Sequence, residues 1–172
     1  MQAKAKTDYR RALSQFATGV TIVTTRAADG RPAGLTVNSF NSVSLEPPLV
    51  LWSLALKASS LEAFRACRYY AVNVLAAGQL EAAKTFADSK ADRFGAVPWH
   101  EGPFGMPVID GAVASLIVAN RSQHLEGDHV ILVGEVATYD APGGPPLIFH
   151  DGRYISQATE EPLPKGFGKP WR

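Results

Sequence analysis

Cysteine, net charge and long apolar runs are what this sequence has least of. The 172 residues hold a single cysteine, Cys67, so an internal disulfide is excluded and a reducing compartment, the cytoplasm, is favoured. Lys+Arg 17 against Asp+Glu 16 leaves +1, which gives no basic footprint for nucleic acid or anionic lipid. No apolar run approaches the ~18 residues that span a bilayer. The charged start, Met1-Gln2-Ala3-Lys4-Ala5-Lys6, has no apolar core behind it and does not read as a secretory signal. Dinucleotide and phosphate loops of the common kinds are missing too. Gly166-Phe167-Gly168-Lys169-Pro170 follows no strand, and Pro170 interrupts any helix. With 46% apolar and 19% charged residues, the chain can bury a core as one globular domain.

The pattern is mostly β. β-branched residues at 20–25 predict a strand, and Asp29-Gly30 turns it back into a second strand at 33–40. Further strands are expected at 49–54, 69–75, 112–125 and 129–139, with a last hairpin, 146–149 and 154–155, around Asp151-Gly152. Helical spacing marks 7–17 (Thr7 as N-cap), 59–65 (Ser59 and Glu62 at capping-box spacing) and 76–87. Residues 95–111, rich in Gly and Pro, read as a loop, and the Pro-rich 159–172 as an extended arm beyond a domain at 1–158. About seven strands and three helices, not alternating one for one, argue against a doubly wound sheet and for an antiparallel barrel with helical insertions.

Four constellations could carry chemistry. Polar residues crowd Thr36-Val37-Asn38-Ser39-Phe40-Asn41-Ser42-Val43-Ser44; turn capping explains some of them, and a polar edge facing a flat heteroaromatic ligand explains all. Lys57, Ser59 and Ser60 suit a phosphate, although from this segment alone plain N-capping beside a solvated lysine is the simpler reading. Lys90-Ala91-Asp92-Arg93-Phe94 reads first as a solvated helix end. His124 and His129 flank one turn, but without a cysteine or carboxylate pair at ligand spacing a metal site is not expected. Beside Asp128, His129 can instead offer a fixed donor to a substrate amide or phosphate.

Several separated motifs occur together: Phe16-Ala17-Thr18-Gly19-Val20-Thr21, Gly34-Leu35-Thr36-Val37-Asn38-Ser39-Phe40, Ser42-Val43-Ser44-Leu45-Glu46-Pro47-Pro48, Tyr70-Ala71-Val72-Asn73-Val74-Leu75, Arg93-Phe94, Gly127-Asp128-His129 and Pro146-Leu147-Ile148-Phe149. In this order, over residues 8–156, the chain resembles the flavin reductase family, the short-chain reductases of two-component flavin-dependent monooxygenases. The resemblance implies a mainly β, antiparallel Greek-key FMN-binding split barrel and a homodimer. It also implies reduction of FMN or FAD by NADH or NADPH, with the reduced flavin passed to a separate monooxygenase. It assigns Thr36, Val37, Asn38 and Ser39 to the isoalloxazine, and Ser53, Leu54, Ala55, Lys57, Ser59 and Ser60 to the ribityl and phosphate groups. Phe86 and Arg93 join the cofactor set, and Asp128, His129 and Tyr154 are expected by the nicotinamide. The cofactor carries hydride transfer while the protein supplies position and electrostatics, so no acid–base dyad is required. The alternatives are a non-enzymatic flavin carrier or storage module on the same barrel, and a plain interaction domain in which the polar cluster is only turn chemistry.

Overall fold

The structure, a computed structural model, describes residues 3–156; the arm expected at 159–172 lies outside the described residues. The elements in order are α1 (Ala3–Ser14), β1 (Thr18–Gly19), β2 (Thr21–Arg26), β3 (Pro32–Val37), β4 (Asn41–Leu45), β5 (Pro48–Ala55), α2 (Leu61–Ala66), β6 (Tyr69–Val74), α3 (Leu80–Ala87), α4 (Arg93–Ala96), β7 (Trp99–Glu101), β8 (Pro107–Ile109), β9 (Ala114–Glu126), β10 (His129–Asp140), β11 (Ile148–His150) and β12 (Arg153–Ile155). Seven strands form one antiparallel sheet in the order β3-β2-β6-β9-β10-β5-β4. β1, β11 and β12 form a second sheet, and β7 pairs with β8.

Period-two patterning decides what each strand buries. β5 turns Val50, Trp52 and Leu54 into the main core, where they meet Val23, Tyr70, Val72, Val118, Val130 and Leu132 from four other strands and Phe64 from α2. Contacts among so many strands require a curled sheet, as the split-barrel expectation demands. The Ser39 hydroxyl draws the curl together across strands: it accepts from the Ser53 N–H (3.0 Å) and donates to the Ser53 carbonyl (3.1 Å). β2 is covered on both faces, because Ile22 enters a second cluster with Val20, Leu75, Ala83, Phe86, Ile109 and Leu147.

One buried polar residue joins four strands. Fully buried Asn73 on β6 donates to the Ile22 carbonyl (3.0 Å) and accepts from the Ile109 N–H (3.1 Å) and the Ser115 hydroxyl (3.1 Å). Asn73→Leu removes all three bonds and strands the Ile109 N–H, and buried unpaired groups cost ~1–3 kcal/mol each. We expect a loss of about 3 kcal/mol in urea unfolding; a loss below about 1 kcal/mol would show that Asn73 is not the joint described here.

Several boundaries differ from the sequence-based reading. α1 starts at Ala3, so Thr7 is internal rather than the N-cap, in keeping with the helix propensity of the Ala and Lys residues before it. α3 starts at Leu80, not 76, because Ala76 bridges to Pro146 and its N–H is taken by the Gln79 side chain (2.9 Å). The loop expected at 95–111 contains β7 and β8, and the polar run after Ser39 continues as the edge strand β4. No helix among the described residues is long and apolar enough to cross a membrane.

Candidate functional site

β3 is flanked by clefts at both ends. At its C-terminal end Thr36, Val37 and Asn38 line a cleft of about 160 Å³ with Val20, Ala87, Phe149 and Tyr154. Asn38 and Ser39 also line an adjoining cleft of about 380 Å³, whose other wall is Phe16, Ala17, Thr18 and Gly19. Two aromatic rings, Phe149 and Tyr154, pack edge to face at 5.3 Å. The β1–β11 pairing, Thr18 opposite Phe149, brings this late hairpin to the early strands. Thr36 is fixed by its hydroxyl, which donates to the Ala83 carbonyl of α3 (2.7 Å). Flat, partly apolar and bordered by polar backbone, this end suits a heteroaromatic ring.

The N-terminal end of β3 opens on a polar cleft of about 420 Å³ lined by Arg31, Pro32, Ala33, Gly34, Ser59, Ser60, Ser89, Ala91, Asp92, Arg93 and Phe94. Arg93 donates through one terminal nitrogen to the Gly34 carbonyl (2.6 Å) and through Nε to the Asp88 carbonyl (3.1 Å). Burial pushes its guanidinium pKa down, with Asp88 opposing, so the residue is a half-buried cation rather than a solvated helix end. The capping box is not made: Ser60 is the N-cap of α2, and no side-chain cap bond forms. The Ser59 and Ser60 hydroxyls therefore have no hydrogen-bond partner among the described residues, and both residues border the Arg93 cleft. Two free hydroxyls beside a fixed guanidinium match the oxygens of a phosphate.

The approach of α3 to β3 explains Gly34. A Cβ there would meet Phe86 Cε1, Thr24 Cγ2 and the Val23 carbonyl, each at 3.0 Å. Phe86 itself is fully buried against Phe94 (5.1 Å, edge on), and its neighbour Ala87 is the residue that borders the ring-sized cleft. Leu54, assigned to the cofactor by the resemblance, is buried in the main core and lines none of these clefts.

Asp128 and His129 sit at the β9–β10 turn, where Gly127 has φ +60°. His129 pairs with Ala55 and Ile131 with Ser53, so the pleat puts these four on one face, away from the core. His129 Nδ1 lies 2.7 Å from Asp128 Oδ1. The bond to His129, then the His129 charge and more weakly Lys57, holds the Asp128 carboxyl below its usual range. With Asp128 a fixed acceptor, Nδ1 carries the proton and Nε2 is left for another partner. The Asp128 carbonyl accepts from the Leu56 N–H (3.0 Å), which ties this turn to the segment holding exposed Lys57. Lys57 thus stands by Asp128, outside the lining of the Arg93 cleft, and Tyr154, on the three-stranded sheet, lines the ring-end cleft together with Thr36 of the seven-stranded sheet. The His124 ring Nε2 lies 3.1 Å from the Ser122 hydroxyl.

Sequence reasoning did not find Arg31, Ser89 or Phe149 as lining residues. Each reaches a cleft through a turn or a long-range pairing, and local spacing carries no sign of either.

The family described as "Flavin reductase like domain" matches residues 13–157. FMN reductase (NADH) SmoA of Agrobacterium fabrum is 42% identical over 147 residues, 85% of this chain and 83% of that protein. The reductase component of a flavin-dependent trigonelline monooxygenase from Acinetobacter baylyi is 38% identical over 151 residues, 88% of this chain and 49% of that protein. The chain thus spans about half the length of that relative, as it does of a probable flavin reductase of Rhizobium meliloti (47%). Among solved structures, the NADH:FAD oxidoreductase of Streptomyces globisporus in complex with NAD and FAD fragments superposes with a TM-score of 0.83 at 39% identity, over 96% of this chain and 98% of that one.

Proposed function

Because the chain belongs to the flavin reductase-like domain family, we propose that it reduces FMN or FAD with NADH or NADPH and hands the reduced flavin to a separate monooxygenase. The observation that carries this reading is the arrangement along β3: a ring-sized cleft with aromatic walls at one end, a serine- and arginine-lined cleft at the other. A flavin mononucleotide has that sequence of parts.

A bound flavin would supply the hydride acceptor for the nicotinamide, and everything else falls to the chain's own groups. Backbone around Thr36, Val37, Asn38 and Ser39 orients the ring, and Ser39 is held in register by Ser53. Ser59, Ser60 and Arg93 hold the phosphate, Ala55 takes the ribityl side, and Lys57 adds positive charge near Asp128. His129 uses Nε2 to grip the nicotinamide amide or ribose, and Asp128 fixes its tautomer. Tyr154 walls the ring cleft. Stacking two rings in contact supplies the proximity on which the transfer depends.

The same reading gives a homodimer, domain limits of 1–158 with 159–172 as an arm, and the cytoplasm. Exposed Tyr9, Leu13 and Phe16 on and just after α1, with Val43 and Leu45 on the edge strand β4, support self-association. The free thiol of Cys67 suits a reducing compartment. The partner follows from the relatives that serve as monooxygenase reductase components.

The test is oxidation of NADH and NADPH by the purified protein, with FMN, FAD and riboflavin supplied in turn. Turnover that depends on added flavin is the expected result. Flavin binding without nicotinamide oxidation would replace the reductase with an electron carrier.

A further inference from the structure

Arg31 is left over from the phosphate reading above. It follows the β2–β3 turn, which is closed by Ala27 N–H to the Arg31 carbonyl (2.9 Å) and by Gly30 at φ +81°. Asp29 takes its Nε (2.7 Å) and its backbone N–H (3.1 Å). Those two bonds orient the guanidinium, and neither terminal nitrogen has a hydrogen-bond partner among the described residues, although the side chain is 83% exposed. Arg31 lines the 420 Å³ cleft together with Ser59, Ser60, Ser89 and Arg93, and along the chain it lies three residues farther from the ring end than Gly34.

That cleft is far larger than one phosphate needs. A phosphoryl group fills on the order of two or three water volumes of ~30 Å³ each, whereas clefts of a few hundred Å³ take whole small molecules. β3 also acts as a ruler. From Thr36, at the ring end, the strand runs back through Gly34, which anchors Arg93, to Arg31, about 16 Å in all at ~3.3 Å per residue. Ring, first phosphate and a further fork of donors come in the order of ring, first phosphate and second phosphate in a flavin dinucleotide. Asp92, the carboxylate in the lining, already accepts from the Gly95 N–H (3.1 Å).

Resting on the flavin reading of this site, we infer that Arg31 binds the second phosphate of FAD and selects FAD over FMN. The bond is charge-assisted and specific to the dinucleotide. It gives Arg31 a specificity role and no part in hydride transfer.

The experiment is titration of the full chain with FAD, FMN and riboflavin, followed by flavin fluorescence, for the wild type, Arg31→Ala and Arg31→Lys. Arg31→Ala is expected to raise the FAD Kd about 10-fold, with FMN and riboflavin changed less than about twofold. Arg31→Lys should recover part of the loss. Equal weakening of FMN and FAD would overturn the inference by moving Arg31 to the first phosphate, and no change with any flavin would return it to a solvated surface arginine. An unchanged FAD Kd with a raised KM for NADPH but not NADH would overturn it in favour of a 2′-phosphate contact. If the wild type bound none of the three flavins, the flavin reading itself would fall, a result separate from the others.

Discussion

Gly134→Ala is expected to lower the melting temperature by ~6–12 °C, the equivalent of about 3 kcal/mol in a domain of this size. Gly134 lies on β10 at a register shift, where β9 carries one extra residue between Asn120 and Ser122. A Cβ at this position would run into the Tyr70 hydroxyl and Val118 Cγ1, and would come within 2.9 Å of the Ala119 carbonyl. The last is backbone and cannot rotate away. Tyr70 is wholly buried beside Trp52, with its hydroxyl making no hydrogen bond, and burial raises its pKa. The missing side chain is therefore the slot that receives the tyrosine oxygen. Thermal unfolding of Gly134→Ala alone and combined with Tyr70→Phe tests this. Removing the oxygen in the double variant should restore several degrees, and purely additive losses would show that the clash lies elsewhere.

His129→Ala should lower kcat/KM for the nicotinamide by up to about 10-fold, the size expected when one neutral hydrogen bond of ~0.5–1.5 kcal/mol is lost. The flavin Kd should stay within about twofold, because His129 belongs to the β9–β10 turn and not to the clefts along β3. Stopped-flow reduction and flavin titration separate the two effects. Equal loss in both would make His129 a flavin ligand, and loss in neither would remove it from the reaction. The pH dependence has a defined sign. The Asp128 carboxyl is held below its unfolded range, so its pairing with His129 is in force above the ordinary carboxylate pKa of ~3.9 and is lost as pH falls through the lowered value. Across neutral pH Asp128 stays charged.

The hairpins were readable because their signals are local. Asp29-Gly30, Gly127-Asp128 and Asp151-Gly152 all turn where glycine φ is positive, between strands whose alternation is plain. β4 was hidden because it is an edge strand without a buried position: Asn41, Ser42, Val43 and Leu45 are all exposed, so its alternation marks no core face. β7 and β8, three residues each, fall below any periodic signal. In the site, the Thr36–Ser39 run and the Ser59, Ser60 and Arg93 set were legible through the family motifs, and the structure gathers the latter three in one cleft. That Phe86 is sealed in the core while Ala87 meets the cleft was not, because both sit in the same helical turn and only tertiary contact distinguishes them. The resemblance made Lys57 a phosphate anchor with Ser59 and Ser60; the exposed lysine lies outside the lining of their cleft and close enough to Asp128 to help hold that carboxyl below its usual range.

The two walls of the ring cleft come from opposite ends of the chain, Asn38 from an early strand connection and Phe149 with Tyr154 from the last hairpin. On a ribosome adding ~5–20 residues per second, the second wall emerges roughly 5–20 s after the first. The core under Trp52 and Tyr70 draws only on strands finished by β10 and can condense in that interval. A nascent chain thus gains its barrel before its ring cleft. A chain cut before the last hairpin would keep those core strands and lack the second wall of the cleft.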